Sequence, residues 1–562
     1  MEEQKKLKKK FIRNIIITLI ALAFVALIFY KAPDFILSKS TDAITLIINN
    51  KNLTNSQRLK NEVIVENGIV YLSKEDVSNF FDKYLYYDNK YEKYITTAGD
   101  KLAAINVNDS IIEINGITSR IKGKILERNG KVYFPISEMT EVYDIDVINI
   151  NEKNTVIIDS TDREQIQVEA IKDINVKYKM KILSSTLEKA KKGSKLILIS
   201  QNDNGWAKVR TENGIIGYVK QKDIANQTII REKKTQESLI SDNKISMVWD
   251  FYSEYVNVPN RLGTTIDGIN VISPSFFTLE KSGKGSIIDK ATNGGIQYVN
   301  WAKQKGYKVW AMINNNSLTE TTSEILNDYE KRKVLIENIL EMAEKYSLDG
   351  INVDFENISV KDKEMYSRLI IEMYPRLKEK GLALSVDVTA PDGGENWSLC
   401  YDRKTISENS DYIIFMGYDQ TSGGSKKPGT TAGYNWVKNN IDKFLGQEGV
   451  EKNKIILAIP FYTRIWTEDS DGTYTSKVVN MKDIDSAIPT SAERNWNDTL
   501  RQYYVEYTDN GQNKKIWIED LKSVKEKLLL ANEYDLPGVA FWELDRQDDN
   551  VWSEVNKIIL NK

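Results

Sequence analysis

The sequence of 562 residues is too long for one ordinary domain and predicts three or four folded units. It has no histidine and one cysteine, Cys400, which excludes Ser-His triads, histidine-ligated metals and internal disulfides. A net charge of −3 gives no reason to expect nucleic acid as a partner. Catalysis, if any, must use carboxylates, Tyr, Lys, Ser or bound ions.

The N-terminus combines a basic segment with a long apolar run. Residues 1–10 are predicted as a cytoplasmic basic tail, and residues 11–30 as a transmembrane signal-anchor that places the remainder outside, on the cell-wall side. A cleaved signal peptide, which would release a secreted protein, is the alternative. The tract Lys31–Asp34 lacks a pair of small residues for cleavage, which favours the anchor.

Residues 44–160 predict an α+β domain with an internal repeat. The run Asn67–Leu72 recurs as Asn129–Phe134, and the copies precede helical tracts at Lys74–Phe81 and Ser137–Tyr143. The arrangement resembles the copper amine oxidase N-terminal-like stalk domain of bacterial surface proteins. The resemblance implies a spacer or binding role, and no copper, because the ligands that copper prefers are missing.

Residues 166–226 predict a small β-barrel, since apolar β runs alternate with Asn-Gly turn signals. The segments around Trp206 and Tyr218 resemble bacterial SH3-like domains, which implies binding of cell-wall peptides. Core packing explains the two aromatic residues equally well. Residues 227–244 are polar, lack apolar periodicity and predict a linker.

Residues 245–562 predict a (β/α)₈ TIM barrel, because β-like runs alternate with amphipathic helical tracts such as Lys331–Tyr346. The stretch Thr463–Trp517 is longer than one helix and predicts an α+β insertion between the last two strands. The eight strand candidates centre on Val248, Ile272, Trp310, Val353, Val386, Phe415, Leu457 and Ala540.

The segment Leu348–Glu356 carries the most informative chemistry. Strand alternation places Asn352, Asp354 and Glu356 on one face, while the apolar residues between them face the other way. Crowded carboxylates disfavour joint ionisation, which keeps one of them a proton donor near neutrality. Glu356 lies at the C-terminal end of its strand, where barrel active sites form, and such a donor is what glycosidic cleavage requires.

The pattern Asp349-x-x-Asn352-x-Asp354-x-Glu356 resembles the Asp-x-x-Asp-x-Asp-x-Glu signature of glycoside hydrolase family 18. That family includes chitinases and bacterial cell-wall and spore-cortex N-acetylglucosaminidases. Asn352 stands at the family's central aspartate; it can hydrogen-bond Asp354 but cannot take up a proton, which bears on the acidity of the pair and the pH optimum. Three further segments match later strand ends of the family in order: Met416–Asp419, Pro460–Trp466 and Gly538–Trp542.

The resemblance implies a glycoside hydrolase of the chitinase or N-acetylglucosaminidase type, acting on β-linked N-acetylglucosamine glycans by substrate-assisted, retaining catalysis without metal or cofactor. It assigns Glu356 as the acid and base, Asp354 and Tyr418 as catalytic partners that hold the 2-acetamido group, and Trp542 as an apolar platform. The other expected substrate-binding residues are Asn352, Asp419 and Arg464.

Several further side chains are open to two interpretations. They either line the cleft or form a satisfied hydrogen-bond network; these are Asp250, Asn314, Asn315, Asp387 and Arg464. Peptidoglycan is the predicted polymer, because the anchor and the SH3-like region place the barrel beside a cell wall, and soluble chitin is the alternative. A non-catalytic, lectin-like barrel is the rival function, although retention of Glu356 counts against it. The third possible function is that of a structural surface protein, in which the barrel is only a scaffold.

Overall fold

The computed structural model describes residues 2–35, 43–54, 56–233, 244–253 and 256–561. The chain divides into two compact units. The N-terminal unit comprises Met1–Ala98 and Ala103–Glu237, and the C-terminal unit contains Ser238–Lys562.

The N-terminal helix spans Glu2–Phe35, so the basic tail predicted for residues 1–10 continues directly into the apolar run. Within the described residues, this is the one helix long and apolar enough to cross a membrane, over Glu2–Leu27, and none of that span is buried. A signal anchor and a signal peptide both fit this description.

The repeat in the stalk-like region (residues 44–160) is paired in space. The strands Ile69–Ser73 and Lys131–Phe134, one from each copy, lie side by side and antiparallel. The first helical tract forms the helix Lys74–Phe80, whereas the second splits into a 3₁₀ turn, Ile136–Glu138, and one α-turn, Thr140–Tyr143. The two copies therefore share their strands more closely than their helices.

Three sheets of four, four and five strands make up this region. The strands are Thr45–Ile48, Lys51–Asn52, Ile64–Glu66, Ile69–Ser73, Tyr86–Asp88, Lys93–Ala98, Lys101–Asn106, Ile111–Ile114, Ile117–Arg120, Leu126–Arg128, Lys131–Phe134, Ile145–Ile150 and Thr155–Ser160.

The following domain is a seven-stranded antiparallel sheet. Its strands are Gln165–Ala170, Ile174–Lys177, Thr186–Ala190, Lys195–Asn202, Trp206–Thr211, Ile216–Lys220 and Ile224–Arg231. Trp206 is 6% exposed, with the Lys220 ammonium 4.0 Å from its ring centroid, and Tyr218 is half-buried. Trp206 is therefore covered by the protein itself, with Lys220 over its ring, whereas Tyr218 keeps part of its surface exposed.

The predicted boundary at residue 226 is wrong, because the last strand of this seven-stranded domain runs to Arg231. It pairs with Gln165–Ala170, and the run Thr228–Ile230 supplies the β-branched side chains that favour a strand. The predicted linker thus loses residues 227–231, and its residues 234–243 lie outside the described residues.

A buried ion pair joins the stalk-like region to the seven-stranded domain. The Arg210 guanidinium donates two hydrogen bonds, of 2.8 and 2.5 Å, to the carboxylate of Asp159, and both residues are more than 90% buried. Gly214 lies against Thr155 and Ile47, where a Cβ would be 2.8 Å from the Thr155 methyl carbon. Because the junction is close-packed, these two domains form one body.

All eight predicted barrel strands are confirmed, and all are parallel. They are β1 Ile245–Asp250, β2 Val271–Pro274, β3 Lys308–Asn314, β4 Gly350–Asp354, β5 Ala383–Val388, β6 Tyr412–Met416, β7 Ile455–Pro460 and β8 Gly538–Trp542. The sheet order is β2-β1-β8-β7-β6-β5-β4-β3, and pairing of β2 with β3 closes the barrel. This geometry brings the C-terminal ends of all eight strands to one face.

Helices cover the outside of the barrel. They are Gly295–Gln304, Thr319–Leu326, Tyr329–Tyr346, Lys363–Glu379, Arg403–Glu408, Tyr434–Gly446, Leu521–Glu533 and Val551–Val555. Between β1 and β2 the described residues form no α-helix. After β2 the chain forms a hairpin, Phe277–Leu279 with Ile287–Asp289. The barrel thus departs from the regular alternation at its first turns.

The strands sort their side chains as period-2 alternation requires. Inward residues such as Met247, Trp310, Met312 and Ile456 fill the barrel interior, while outward residues such as Val353 pack beneath the helices. The interior is therefore a packed core, and the cavities described below lie at the C-terminal ends of the strands.

The predicted insertion is confirmed between β7 and β8. It is a five-stranded antiparallel sheet with a short helix, Ile484–Ala487. Its strands are Tyr462–Glu468, Tyr474–Asn480, Asn495–Asn497, Gln502–Asp509 and Gln512–Ile518. It has its own apolar cluster around Val505 and Ile516, so it folds as a distinct subdomain beside the barrel.

Candidate active site

The polar residues of β4 occupy two levels. Asp354 and Glu356 line cavities at the C-terminal ends of the strands, as alternation predicts. Asn352 is 0% exposed and lies one level below them, inside the barrel. Asn352, for which a substrate-binding role was predicted, lines neither of the two cavities described below.

Asn352 instead satisfies a buried network. Its carboxamide oxygen accepts a hydrogen bond from Trp249 Nε1 at 2.8 Å, and its Nδ2 donates to Asp387 Oδ1 at 2.7 Å and to Ser385 Oγ at 3.1 Å. Its carboxyl partner is therefore Asp387, on β5, rather than the expected Asp354. The amide fixes the position of the Asp387 carboxyl, which lines a cavity at the strand ends.

Three carboxyl groups share this end of the barrel, and their pKa values are all raised. Burial, followed by the charges of Asp354 and Asp419, raises the pKa of Glu356 to about 8. Burial, then the neighbouring Asp387, raises the pKa of Asp354 well above its ordinary value. Burial and Glu356 raise the pKa of Asp387, although the Asn352 hydrogen bond opposes the shift. A pKa of about 8 favours the protonated form of Glu356 at neutral pH.

The backbone at Glu356 is held from β3. Asn315 follows that strand and forms a pair of hydrogen bonds: Glu356 N donates to Asn315 Oδ1 at 3.0 Å, and Asn315 Nδ2 donates to Glu356 O at 2.8 Å. Tyr401 Oη donates to the carbonyl of Phe355 at 2.8 Å. These contacts settle the open interpretation of Asn315 in favour of a network that also lines the cleft.

The end of β6 contributes Tyr418 and Asp419. Burial raises the pKa of Tyr418 well above its ordinary value, so its hydroxyl remains a hydrogen-bond donor. Asp419 accepts hydrogen bonds from Tyr462 Oη at 2.8 Å and from Arg464 Nη2 at 3.2 Å. Arg464 does not line the cavities described below; it lies behind Asp419 and pairs with it. Tyr462 is a cleft residue for which the sequence assigned no role.

Trp542, the last residue of β8, forms an aromatic group with residues of the first strand and its loop. Its ring centroid lies 5.6 Å from that of Trp249 and 5.6 Å from that of Phe251. Trp249 is buried, whereas Phe251 is 45% exposed. The indole is thus supported from inside the barrel and presents an apolar surface at the cleft.

Two adjoining cavities meet at Asp354, Glu356 and Trp542. The larger, about 480 Å³, is also lined by Phe251, Ser253, Thr278, Lys290 and Asn314–Ser317. The smaller, about 140 Å³, is also lined by Asp387, Thr389, Trp397, Met416, Tyr418, Asp419 and Tyr462. Together they form one cleft that runs across the carboxyl groups of Asp354 and Glu356. Trp397, 39% exposed, is a second lining aromatic without a signal in the sequence motifs.

Asp250, at the end of β1, belongs to a satisfied ion-pair network. Arg261 Nε and Nη2 donate to its carboxylate at 2.9 and 2.7 Å, and Tyr298 Oη donates at 2.8 Å. Arg261 also pairs with Asp545 at 2.8 Å, beyond the end of β8. The structural interpretation of Asp250 is therefore correct.

The closed parallel barrel and its acid-lined cleft define a glycoside hydrolase. Residues 247–547 match the family described as Glycosyl hydrolases family 18, and the chain belongs to that family.

Known relatives agree with this membership. The chain is 29% identical over 300 residues to an uncharacterized glycosylase, YvbX, of Bacillus subtilis (strain 168), covering 51% of this chain and 84% of that protein. It is 25% identical to the cortical fragment-lytic enzyme of the same organism, covering 43% of this chain and 57% of that enzyme. The C-terminal domain of a chitinase described as putative, from Desulfitobacterium hafniense DCB-2, has the same fold, with a TM-score of 0.50 and 24% identity over 57% of this chain and 99% of that domain.

Proposed function

We propose that this protein hydrolyses β-linked N-acetylglucosamine glycans, with peptidoglycan as its polymer, by substrate-assisted, retaining catalysis. One observation carries the proposal: Glu356, with a pKa of about 8, shares a cleft with the carboxyl groups of Asp354 and Asp387 and with the aromatic side chains of Tyr418 and Trp542. The polymer is supported by the similarity to a cortical fragment-lytic enzyme.

In the first step, Glu356 transfers its proton to the glycosidic oxygen as the bond from that oxygen to C1 breaks. The carbonyl oxygen of the substrate's own 2-acetamido group attacks C1 and forms an oxazolinium-like intermediate. Burial, followed by the charge of Asp387, raises the pKa of Asp354, which disfavours the carboxylate form that a covalent nucleophile needs and so supports this route. Asp354 orients the acetamido group, and Tyr418 donates a hydrogen bond to its carbonyl oxygen.

In the second step, the Glu356 carboxylate takes a proton from water, whose oxygen attacks C1 and opens the intermediate. Glu356 ends protonated, and the product keeps the β configuration. Trp542 supports the apolar face of the sugar ring, and Asp419, held by Tyr462 and Arg464, binds a sugar hydroxyl. The chemistry requires no metal or cofactor.

The test compares the full chain in detergent micelles with Glu356→Gln, using N-acetylglucosamine oligomers and purified peptidoglycan. Loss of a positioned general acid lowers the rate by about 10²–10⁴-fold. Glu320→Gln, at an exposed glutamate on the helix Thr319–Leu326, is the matched control and should keep full activity. Reducing ends report turnover, product masses identify the bond, and NMR of the first product reports the anomer.

Three results would overturn parts of this proposal. Full activity of Glu356→Gln would remove its role as acid, and an α-anomer as first product would remove the retaining mechanism. Binding of both glycans without turnover would favour the lectin-like alternative.

We further infer that the N-terminal helix holds the protein in the cell membrane with the bulk of the chain on the cell-wall side. The stalk-like region then acts as a spacer, and the seven-stranded domain binds cell-wall peptide. The exposed apolar helix supports this arrangement. Carbonate-resistant membrane retention of the intact mass is expected, whereas a soluble product that lacks the helix would indicate a cleaved signal peptide.

A further inference from the structure

The two cavities of the cleft differ in charge. We name the larger one the lysine lobe and the smaller one the acid lobe; they share Asp354 and Glu356. The acid lobe adds Asp387 and Asp419, whereas the lysine lobe adds neutral amide and hydroxyl side chains together with Lys290. Among the described residues that line the two lobes, Lys290 is the one cationic side chain. The additional carboxyl groups therefore lie in one lobe and this cationic side chain in the other.

Lys290 has a defined place in the wall of the lysine lobe. It follows the hairpin after β2, and its backbone N–H donates to the carbonyl of Phe276 at 2.8 Å. Its ammonium donates to the carbonyl of Tyr252 at 3.3 Å, and lies 5.7 Å from the ring centroid of Phe251 and 5.4 Å from that of Tyr252. Aromatic faces at these distances favour a cation. The charge is thus anchored beside the sugar-binding surface.

Wall glycan and chitin differ in the group that this charge would detect. Chitin is a neutral polymer of N-acetylglucosamine. In wall glycan, alternate sugars are N-acetylmuramic acid, whose lactyl ether ends in a carboxylate once the stem peptide has been removed. The ammonium of Lys290 attracts that carboxylate.

We propose that Lys290 is a specificity-determining residue that binds the free lactyl carboxylate of a muramic sugar in the lysine lobe, with N-acetylglucosamine in the acid lobe. This inference rests on the proposed function and adds its preferred substrate, the peptide-free glycan strand. An amide-cleaving reaction that removes stem peptides must therefore supply the substrate.

The expected size of the effect follows from the type of contact. A hydrogen bond to a charged partner contributes about 1.5–3 kcal/mol, which corresponds to about 10–100-fold in kcat/KM. Lys290 is half-buried, so added salt should reduce this contribution.

The experiment measures kcat and KM of the full chain on peptide-free wall glycan and on neutral N-acetylglucosamine oligomers of the same length. Lys290→Gln should lower kcat/KM about 10–100-fold on the wall glycan, mainly through KM, and lower it far less on the neutral oligomers, so that the ratio of the two values falls. Lys290→Glu should lower kcat/KM on the wall glycan further, and Lys290→Arg should keep most of the activity on it. Lys284→Gln, at an exposed lysine of the same hairpin that does not line the cleft, is the matched control.

The outcomes separate this inference from the proposed function. If wild-type protein cleaves the neutral oligomers while Lys290→Gln treats the two glycans as wild type does, the proposed function stands and the carboxylate inference is wrong. Equal losses of kcat/KM on both glycans would assign Lys290 a general packing role. That result would also overturn the carboxylate inference. If wild-type protein cleaves neither glycan, the proposed function fails and this inference falls with it.

Discussion

Two groups of acids in the barrel are buried in opposite ways. One is paired with a buried cation, and the other is not. Glu372, on the helix Lys363–Glu379, is 1% exposed and faces Arg332, on the helix Tyr329–Tyr346, which is 0% exposed. The guanidinium donates to both carboxylate oxygens at 2.8 Å and to the carbonyl of Leu326 at 2.7 Å. Each charge is compensated, and the pair ties two outer helices together.

Three of the cleft acids, Asp354, Glu356 and Asp387, have no such compensation, whereas Asp419 is paired with Arg464. Asp387 receives its side-chain hydrogen bonds from the neutral amide of Asn352, and Asp354 and Glu356 have no ion pair among the described residues. Their pKa values are raised, with burial as the first cause in each case. An acid that stabilises the fold is buried with a cation, whereas an acid that must hold a proton is buried without one.

The largest expected effect breaks the compensated pair. Arg332→Leu leaves Glu372 buried without its cation and should lower the free energy of unfolding by about 3–5 kcal/mol. The neighbouring Lys331 pairs with Glu324 at 3.5 Å on the surface, so Lys331→Met should change it by at most about 1 kcal/mol. Urea unfolding of both variants measures the difference, and similar losses would contradict the contrast between the two environments.

The second expected effect is the pH dependence of kcat/KM that the uncompensated acids produce. Since Glu356 must be protonated to act as the acid, kcat/KM should fall about tenfold per pH unit above about 8. The apparent pKa of this fall belongs to the coupled cluster of carboxyl groups as a whole. A pH–rate profile on neutral oligomers measures it, and a profile that stays flat to pH 10 would contradict the assignment.

The pH dependence of the free energy of unfolding tests the same assignment independently. The raised pKa of Glu356 fixes the sign of this dependence. Between the ordinary value of 4.5 and about 8, folded Glu356 holds a proton that the unfolded chain has lost, so the free energy of unfolding falls as pH rises through this window. Glu356→Gln removes this dependence. The variant should match wild type at pH 4 and exceed it by up to about 5 kcal/mol at pH 9.

The smallest expected effect adds an acid to the cluster. Asn352→Asp replaces the donor to Asp387 by a carboxyl of the same shape, so the two must share a proton. We expect the alkaline limb to move up by about half to one pH unit, and kcat/KM at the optimum to change by less than about tenfold. Asn440→Asp is the control: its Nδ2 donates to Asp392 at 3.2 Å on an outer helix, and it should leave the profile in place.

Repeating patterns made much of the fold predictable. Alternation in Gly350–Asp354 placed the carboxyl groups at the strand ends, and all eight strand centres were found because each strand is a short apolar run. The end of the seven-stranded domain was missed because Thr228–Arg231 forms an edge strand that is largely exposed and has no apolar alternation.

Contacts between distant strands were beyond the reach of the sequence. The Asn352 amide hydrogen-bonds Asp387 rather than Asp354 because β5 lies beside β4. The spacing of residues along the chain does not reveal that neighbour. The Asn315 clamp on the Glu356 backbone depends in the same way on the β3–β4 register. One signal was available: an asparagine directly after a barrel strand lies at the catalytic face.

The Asp159–Arg210 pair also constrains how this protein can change through recombination. Its two charges belong to successive domains, so exchange of either domain alone would leave the other charge buried without a partner, at a cost of about 3–5 kcal/mol. The stalk-like region and the seven-stranded domain should therefore be inherited, lost or transplanted together. For anyone who divides the gene, residues 161–164 are a poor place to cut.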